Sequence, residues 1–423
     1  MSENPAQRKR LLLLLSPNSY RAGPFLDAAH KLDVEVVKGI DVPRGLEEVW
    51  DLPLAVDFSD LKGATQAIIG YAAARSLDAV VAVDDTATLL ATCAAAALGL
   101  PHNPLEAAEA AHDKGIMRRL MSQSGVPCPA FRELPLAGDP RALAQEITYP
   151  CVVKPRRMNG SRGVIRANEP NEFLAAFERV RRLHLSDGYP LEATTILVEG
   201  FIPGGEIALE GLLTDGALHT LALFDKPDPL DGPYFEETIY VTPSRLPMAT
   251  QGAIAEVAAQ AAASIGLRDG PVHAELRVNE QGPWMLEIAG RSIGGLCSTI
   301  LQFGTDMCLE ELILRHALGY AVPSYDRAGA AAAVMMIPIP RAGMLHAVQG
   351  VAEAEAVPHI EGIEITAKLK YPLVPLPEGN SYLGFIFARA ADPATAEAAL
   401  RAAHAKLHFD IRPTLAVLST PIG

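Results

Sequence analysis

The sequence predicts a multidomain protein, α/β at its N-terminal end and α+β beyond it, and three observations carry that prediction. The chain has 423 residues, enough for about three domains at roughly 150 residues each. Its first third alternates short apolar runs with helical stretches, the signature of βαβ units and a parallel sheet. The remainder pairs short strands across turn residues, the signature of antiparallel hairpins. Hydrophobic residues make up 49% and charged residues 20%, a balance that supplies a core and excludes compositional disorder.

Leu11–Leu15, Val34–Val37 and Ala79–Val83 read as buried strands, with Ala28–Lys31 and Thr65–Ser76 helical between them. A dinucleotide-binding Rossmann domain would need GxGxxG after the first strand. Ser16-Pro17-Asn18-Ser19-Tyr20-Arg21-Ala22-Gly23 stands there instead, which argues against a hydride-transfer dehydrogenase. Pro104 to Ser122 reads as one helical stretch, closed by Gly125-Val126-Pro127. Cys151–Lys154 and Val164–Arg166 form an expected hairpin around the small-residue loop Asn159–Gly163, and Asn171–Leu183 is an amphipathic helix. Ile196–Val198 is a strand whose edge runs into Glu199-Gly200-Phe201-Ile202-Pro203-Gly204-Gly205-Glu206. Ile207–Leu213 and Ala217–Phe224 pair across Thr214-Asp215-Gly216, Ala253–Ile265 is a helix, and Val272–Val278 pairs with Trp284–Ile288. From about Ala321 onward, short strands (Val334–Ile337, Leu383–Ala388) alternate with the helix Pro393–Leu407.

Charge and cysteine usage narrow the function. With 36 Lys+Arg against 50 Asp+Glu the net charge is −14, which disfavours nucleic acid, a partner that requires basic surface. A phosphate ligand must therefore be held locally, by a few cations and a divalent metal. Cys93, Cys128, Cys151, Cys297 and Cys308 are scattered and odd in number, which argues against disulfides and structural zinc. Arg8-Lys9-Arg10 before Leu11–Leu15 imitates a secretion signal, but the apolar run falls short of the roughly 7–15 residues such a signal needs. No stretch of about 18 apolar residues follows. The expectation is a cytoplasmic, soluble protein.

The chemistry concentrates in HAELRVNEQGPWMLEIAGRSIGG. His273 and Glu275 share a strand face, because strand side chains repeat every two residues. Glu287 lies on the partner strand. Two carboxylates on adjacent strands repel each other unless a cation sits between them, and Mg²⁺ takes one or two carboxylates together with substrate phosphates. Arg291 and the open backbone of Gly294-Gly295 suit an anion clamp. Lys154 stands in an apolar strand, where a lysine is costly without an anion partner. Lys114 opens a helical stretch after Asp113. Glu199 follows a strand edge that could offer backbone groups to an adenine, and Glu206 follows a flexible Pro-Gly-Gly. The loop with Tyr234, Phe235, Glu236 and Glu237 suits an amino-acid pocket, with an acid for the α-ammonium.

These features come in a fixed order: LGLPHNPLEAAEAAHDKGIMRRLMSQSGVPCPAF, VVKPRRMNGSRGV, VEGFIPGGE, and HAELRVN followed by MLEIAGRSIGG. In that order the chain resembles the ATP-grasp superfamily over nearly its whole length, most closely the carboxylate–amine ligases of the L-amino acid ligase type. It is more distantly similar to biotin carboxylase and phosphoribosylglycinamide synthetase. The resemblance implies a Rossmann-like parallel-sheet domain without a dinucleotide motif over 1–111, a lid subdomain over 112–198, a catalytic subdomain over 199–320 and an α+β domain over 321–423. It implies that Lys114 and Lys154 contact ATP phosphates. Val198, Glu199, Phe201 and Ile202 would hold adenine and ribose, with Glu206 near the ribose. Glu275 and Glu287 would ligate Mg²⁺, with Mn²⁺ as a substitute, and Arg291 would stabilise the transferred phosphoryl group. His273, Glu236, Gly294 and Gly295 fall to the substrate, and Met158–Arg162 to a lid. Many relatives carry Asn two residues after the second metal carboxylate; Ala289 stands there in this chain. The implied reaction is ADP-forming: a carboxylate becomes an acyl phosphate and an amine displaces phosphate, joining two amino acids. The expected partners are thus small-molecule carboxylates and amines, with no nucleic acid and no membrane, for a monomer or homodimer. A biotin carboxylase-like, ADP-forming carboxylase, another ATP-grasp ligase with a non-amino-acid substrate, and a non-catalytic ATP-binding module are the alternatives.

Overall fold

A computed structural model describes residues 8–17, 19–42 and 54–413. They form two compact units through which the chain passes alternately. The first takes the described residues up to Pro129, then Glu206–Phe224 and Ser244–Gly329; the second takes Ala130–Gly205, Asp225–Pro243 and the described residues from Ala330.

The first unit opens with the parallel sheet expected from the alternating pattern. Its strands run in the order Leu54–Val56, Glu35–Asp41, Arg10–Leu15, Ala79–Ala82, all parallel. Leu11 to Leu14 are each 0% exposed, as expected of a central parallel strand covered on both faces. The helix Leu61–Ala74 starts on an Asp60 cap that accepts the Gly63 N–H at 2.9 Å. The helix Thr88–Leu98 ends on Gly99, whose φ of 68° suits glycine.

The single helix expected over Pro104–Ser122 is two helices, Leu105–His112 and Lys114–Gln123. Asp113 breaks them: its backbone is extended, and its carboxylate caps the second helix by accepting the Gly115 and Ile116 N–H groups at 2.9 and 3.2 Å. A side chain that offers the backbone this alternative partner competes with helix continuation. The break places Lys114 in the first turn of a new helix, almost fully buried.

The same unit carries strands Gly282–Ala289 and Gly270–Asn279 and all but the end residues Gly205, Asp225 and Lys226 of strands Gly205–Thr214 and Ala217–Lys226, hydrogen-bonded neighbours in that order. The helix Met248–Ile265 lays Ile254, Ala258, Ala261, Ala262 and Ile265 against Leu209, Leu213, Ala274, Leu276, Met285 and Ile288. Its alanines let the helix sit close to the sheet. Truncating Leu276 there would cost about 2–5 kcal/mol, the usual range for a large-to-small change in a closed core.

In the second unit the strands Phe131–Pro135, Thr195–Gly200, Cys151–Pro155 and Ile165–Ala167 lie side by side, each antiparallel to its neighbour. Phe173, Ala176, Phe177 and Val180 of the helix Pro170–Ser186 close one face. A further antiparallel set, Ile239–Thr242, Ala331–Ile337, Gly384–Ala390 and Ile360–Glu364, packs on the helix Pro393–His404 through Ala396, Leu400 and Ala403. Among the described residues no helix is long and apolar enough to cross a membrane.

Candidate active site

In the first unit the hairpin Gly270–Asn279/Gly282–Ala289 sets Glu275 directly opposite Glu287, with a bulge between Glu275 and Leu276. The two carboxylates are 25% and 31% exposed. Directly opposed like charges destabilise a sheet, and a lysine and a histidine flank this pair. The Lys114 ammonium lies 2.9 Å from Glu287, and His273 Nε2 lies 3.7 Å from Glu275. A pair of oxygen donors facing each other, neither of them buried, fits a hard divalent cation such as Mg²⁺. Arg118, 0% exposed, fixes the second strand of the hairpin by donating to the carbonyls of Met285 and Leu286 at 3.0 and 2.6 Å.

The segment after the hairpin is held from three directions. Arg291 meets Asp85 through Nε and Nη2, both at 3.0 Å, and its Nη1 donates to the Ser292 carbonyl at 3.0 Å. These bonds use three of the guanidinium's five N–H donors. Arg21, from the loop after the first strand, donates to Ser292 Oγ at 2.7 Å. Glu210 accepts the Ile293 N–H at 3.2 and 3.0 Å and meets His273 Nδ1 at 3.2 Å. Gly294 has open space where a Cβ would stand, and Gly295 has φ 63°, a left-handed conformation glycine adopts without strain.

Electrostatics tie the group together. Burial, the strongest influence on Asp85, pushes its carboxyl upward, but attraction and hydrogen bonding to Arg291 prevail and hold it below its ordinary range. Burial lowers Arg291, and Asp85, with Glu287 and Glu210, more than reverses that, so its pKa is raised. Burial lifts Glu210 above the carboxylate range. Burial also lowers His273, but the bond to Glu210 carries it above its usual value. The remaining first-unit candidate, Glu206, is buried and paired with Arg277 at 3.2 Å.

The second unit holds the other candidates. Lys154 and Glu199 are both buried and lie 2.5 Å apart, so the lysine's anion partner is the glutamate on the neighbouring strand. The strand Thr195–Gly200 pairs on both sides, Val198 with Arg132 and with Val153. It is therefore a central strand, not the edge expected from sequence, and its own N–H and C=O groups are spent on its neighbours. Phe201 and Ile202 follow, half-buried, and the Arg166 guanidinium stacks on the Phe201 ring at 3.9 Å. Glu236 is half-buried, and burial raises its pKa; Glu237 is ion-paired with Lys226.

The lid expected at Met158–Arg162 is fastened. Arg162 pairs with Asp187 at 2.6 and 2.9 Å and donates to the Glu378 carbonyl at 2.8 Å. The Gly163 N–H donates to the Pro377 carbonyl at 2.8 Å. At Gly163, with φ 73°, a Cβ would stand 2.7 Å from Pro155. Any opening of this loop must break these bonds or carry residues 377–378 with it.

Asp85, Arg118 and Glu210 were not found from sequence. Glu210 had a readable signal: a carboxylate within the apolar run Ile207 to Leu213, the same anomaly that marks Lys154. Asp85, in Val83-Asp84-Asp85-Thr86, reads as the acidic entry to a helix and gives no sign of its distant partner.

Residues 147–300 match the ATP-grasp domain, and residues 335–412 match the L-amino acid ligase C-terminal domain 2. The fold is similar to that of an L-amino acid ligase from Bacillus licheniformis, with a TM-score of 0.78 at 25% identity over 96% of this chain and 99% of that one. Alanine–anticapsin ligase of Bacillus subtilis is 30% identical over 228 residues, 50% of this chain and 48% of the relative. Biotin carboxylase of Campylobacter jejuni shares the fold alone, with a TM-score of 0.66 at 18% identity over 96% and 92% of the two chains. The chain spans 48% to 64% of the length of the first curated relatives it matches.

Proposed function

With an ATP-grasp domain at its centre and an L-amino acid ligase domain after it, we propose that the chain is a cytoplasmic, ATP-dependent, ADP-forming carboxylate–amine ligase that joins two amino acids. The observation that carries this reading is the opposed Glu275/Glu287 pair beside Lys114, with an Arg291 oriented by Asp85. Glu275 and Glu287 are the residues that would hold Mg²⁺. Bound there, the ion would neutralise nucleotide phosphate oxygens and so reduce the charge repulsion that opposes phosphoryl transfer.

The chain's own residues supply the rest. A carboxylate oxygen attacks the γ-phosphorus, ADP leaves, and the mixed anhydride accepts an amine at its acyl carbon; the amine gives up a proton and phosphate departs. Arg291, preorganised by Asp85, presents its remaining N–H donors to the phosphoryl oxygens and later to the tetrahedral oxyanion. The amides of Gly294 and Gly295 extend that clamp. Lys114, paired with Glu287 at 2.9 Å, would be released toward a phosphate oxygen if Glu287 held the metal. On the second unit Lys154 serves the phosphates, and Glu199 with Val198, Phe201 and Ile202 serves adenine and ribose. Glu206 serves the ribose, and Glu236 serves the substrate amino acids. The test is a screen of ADP and phosphate release over all amino-acid pairs, with mass spectrometry of the products. Dipeptide formed in step with ADP supports the reading. ATP turnover that no amine accelerates would overturn it.

A further inference from the structure

Glu210 sits within Ile207-Ala208-Leu209-Glu210-Gly211-Leu212-Leu213 and is 0% exposed. A fully buried carboxylate is costly, and packing alone would be served as well by an apolar residue. Both of its oxygens are engaged, and by partners from different elements. Ile293 N–H lies 3.2 Å from Oε1 and 3.0 Å from Oε2, and His273 Nδ1 lies 3.2 Å from Oε2. Ile293 stands between Arg291 and the glycine pair Gly294-Gly295. His273 presents its other nitrogen, Nε2, 3.7 Å from Glu275 Oε1. One enclosed side chain thus grips the anion loop on one side and, on the other, holds an imidazole whose Nε2 faces Glu275 at ion-pair distance.

We infer that Glu210 is a positioning residue of the nucleotide–metal site, setting Glu275 through His273 and the Arg291–Gly295 loop through the Ile293 amide. The inference rests on the reading of Glu275 and Glu287 as metal carboxylates. Glu210→Gln keeps the shape but removes the charge and puts an N–H₂ donor in place of one acceptor oxygen, so the charge-assisted hold on the Ile293 amide and the His273 imidazole is weakened. His273→Asn keeps an N–H near Nδ1 for Glu210 and deletes the nitrogen facing Glu275.

The experiment measures ATP affinity of the full chain by calorimetry, once in EDTA and once with Mn²⁺, alongside the melting temperature. In the wild type Mn²⁺ should tighten ATP binding. In Glu210→Gln that metal-dependent gain should fall by about tenfold or more, the usual effect of losing a ligand-orienting partner, while metal-free affinity, which depends on the anion loop alone, falls by a smaller factor. His273→Asn should lose the gain similarly, and it carries the test if Glu210→Gln does not fold. Variants that keep the full metal-dependent gain overturn the inference and leave the metal reading intact. A role in folding alone would lower the melting temperature and weaken metal-free and metal-bound affinity by the same factor, and that result also overturns it. A wild type without any metal-dependent gain overturns both.

Discussion

Asp85→Asn tests the clamp on Arg291. The substitution keeps the side chain's size and removes its charge. Both Asp85 oxygens lie 3.0 Å from the guanidinium, and the two side chains are 18% and 16% exposed. Removing one partner of a buried ion pair costs about 3–5 kcal/mol. Partial solvation and the one hydrogen bond an amide can keep reduce this to roughly 2–3 kcal/mol. At about 2–4 °C per kcal/mol for a large domain, the melting temperature should fall by roughly 4–12 °C. Catalysis should suffer more, because a stabilising charge that is no longer preorganised forfeits about 10²–10³ in kcat. The pH dependence has a definite sign. Asp85 is held below its ordinary range by Arg291 against the opposing effect of burial. Its contribution is therefore complete above the unfolded carboxyl value of about 4 and is lost as pH falls through the lower folded value. The stability gap between wild type and variant should accordingly shrink below about pH 4. Thermal melts across pH, with ADP-release kinetics at neutral pH, measure all three. A variant with unchanged melting temperature and kcat within about threefold of wild type, a difference under roughly 0.7 kcal/mol, would refute the clamp.

Three further outcomes are expected. Glu287→Gln should abolish turnover, and retention of more than about a tenth of wild-type kcat, a loss under about 1.4 kcal/mol, would contradict the metal role. Lys154→Ala should raise the KM for ATP more than the KM for either amino acid; equal shifts would mark the buried Lys154–Glu199 pair as purely structural. Arg162→Ala should speed hydrogen exchange at the Gly163 amide, since it frees the loop from Asp187 and from the Glu378 carbonyl. Unchanged protection there would mean that the Pro377 bond alone holds the loop.

The hairpin was legible because it is local. Period-two alternation puts His273 and Glu275 on one face, and a short turn brings Glu287 back opposite, all within a few residues of sequence. The parallel N-terminal sheet was legible for a similar reason, as runs such as Leu11–Leu15 leave no polar face. The break at Asp113 was hidden because its flanks are good helix formers, and only the capping geometry reveals it. The central position of Thr195–Gly200 was hidden because pairing of Phe131–Pro135 is non-local and that segment carries weak strand character. Asp85 and Arg118 act on partners 206 and 167 residues away, and neither has a local pattern to betray it. Glu210 differs, since its apolar surroundings already demanded a partner, although not which one.

The most direct measurement of the central claim supplies ATP labelled at the α-phosphate, Mg²⁺ and pairs of amino acids, and resolves the labelled nucleotides. Attack at the γ-phosphorus yields labelled ADP. The Glu275/Glu287 pair, Lys114 and Arg291 are assigned to that transfer, and an acyl phosphate needs the γ-phosphate presented to the carboxylate. The account predicts labelled ADP that accumulates only when both a carboxylate and an amine are present, matched by amide product. Labelled AMP as the main stoichiometric product would contradict it outright.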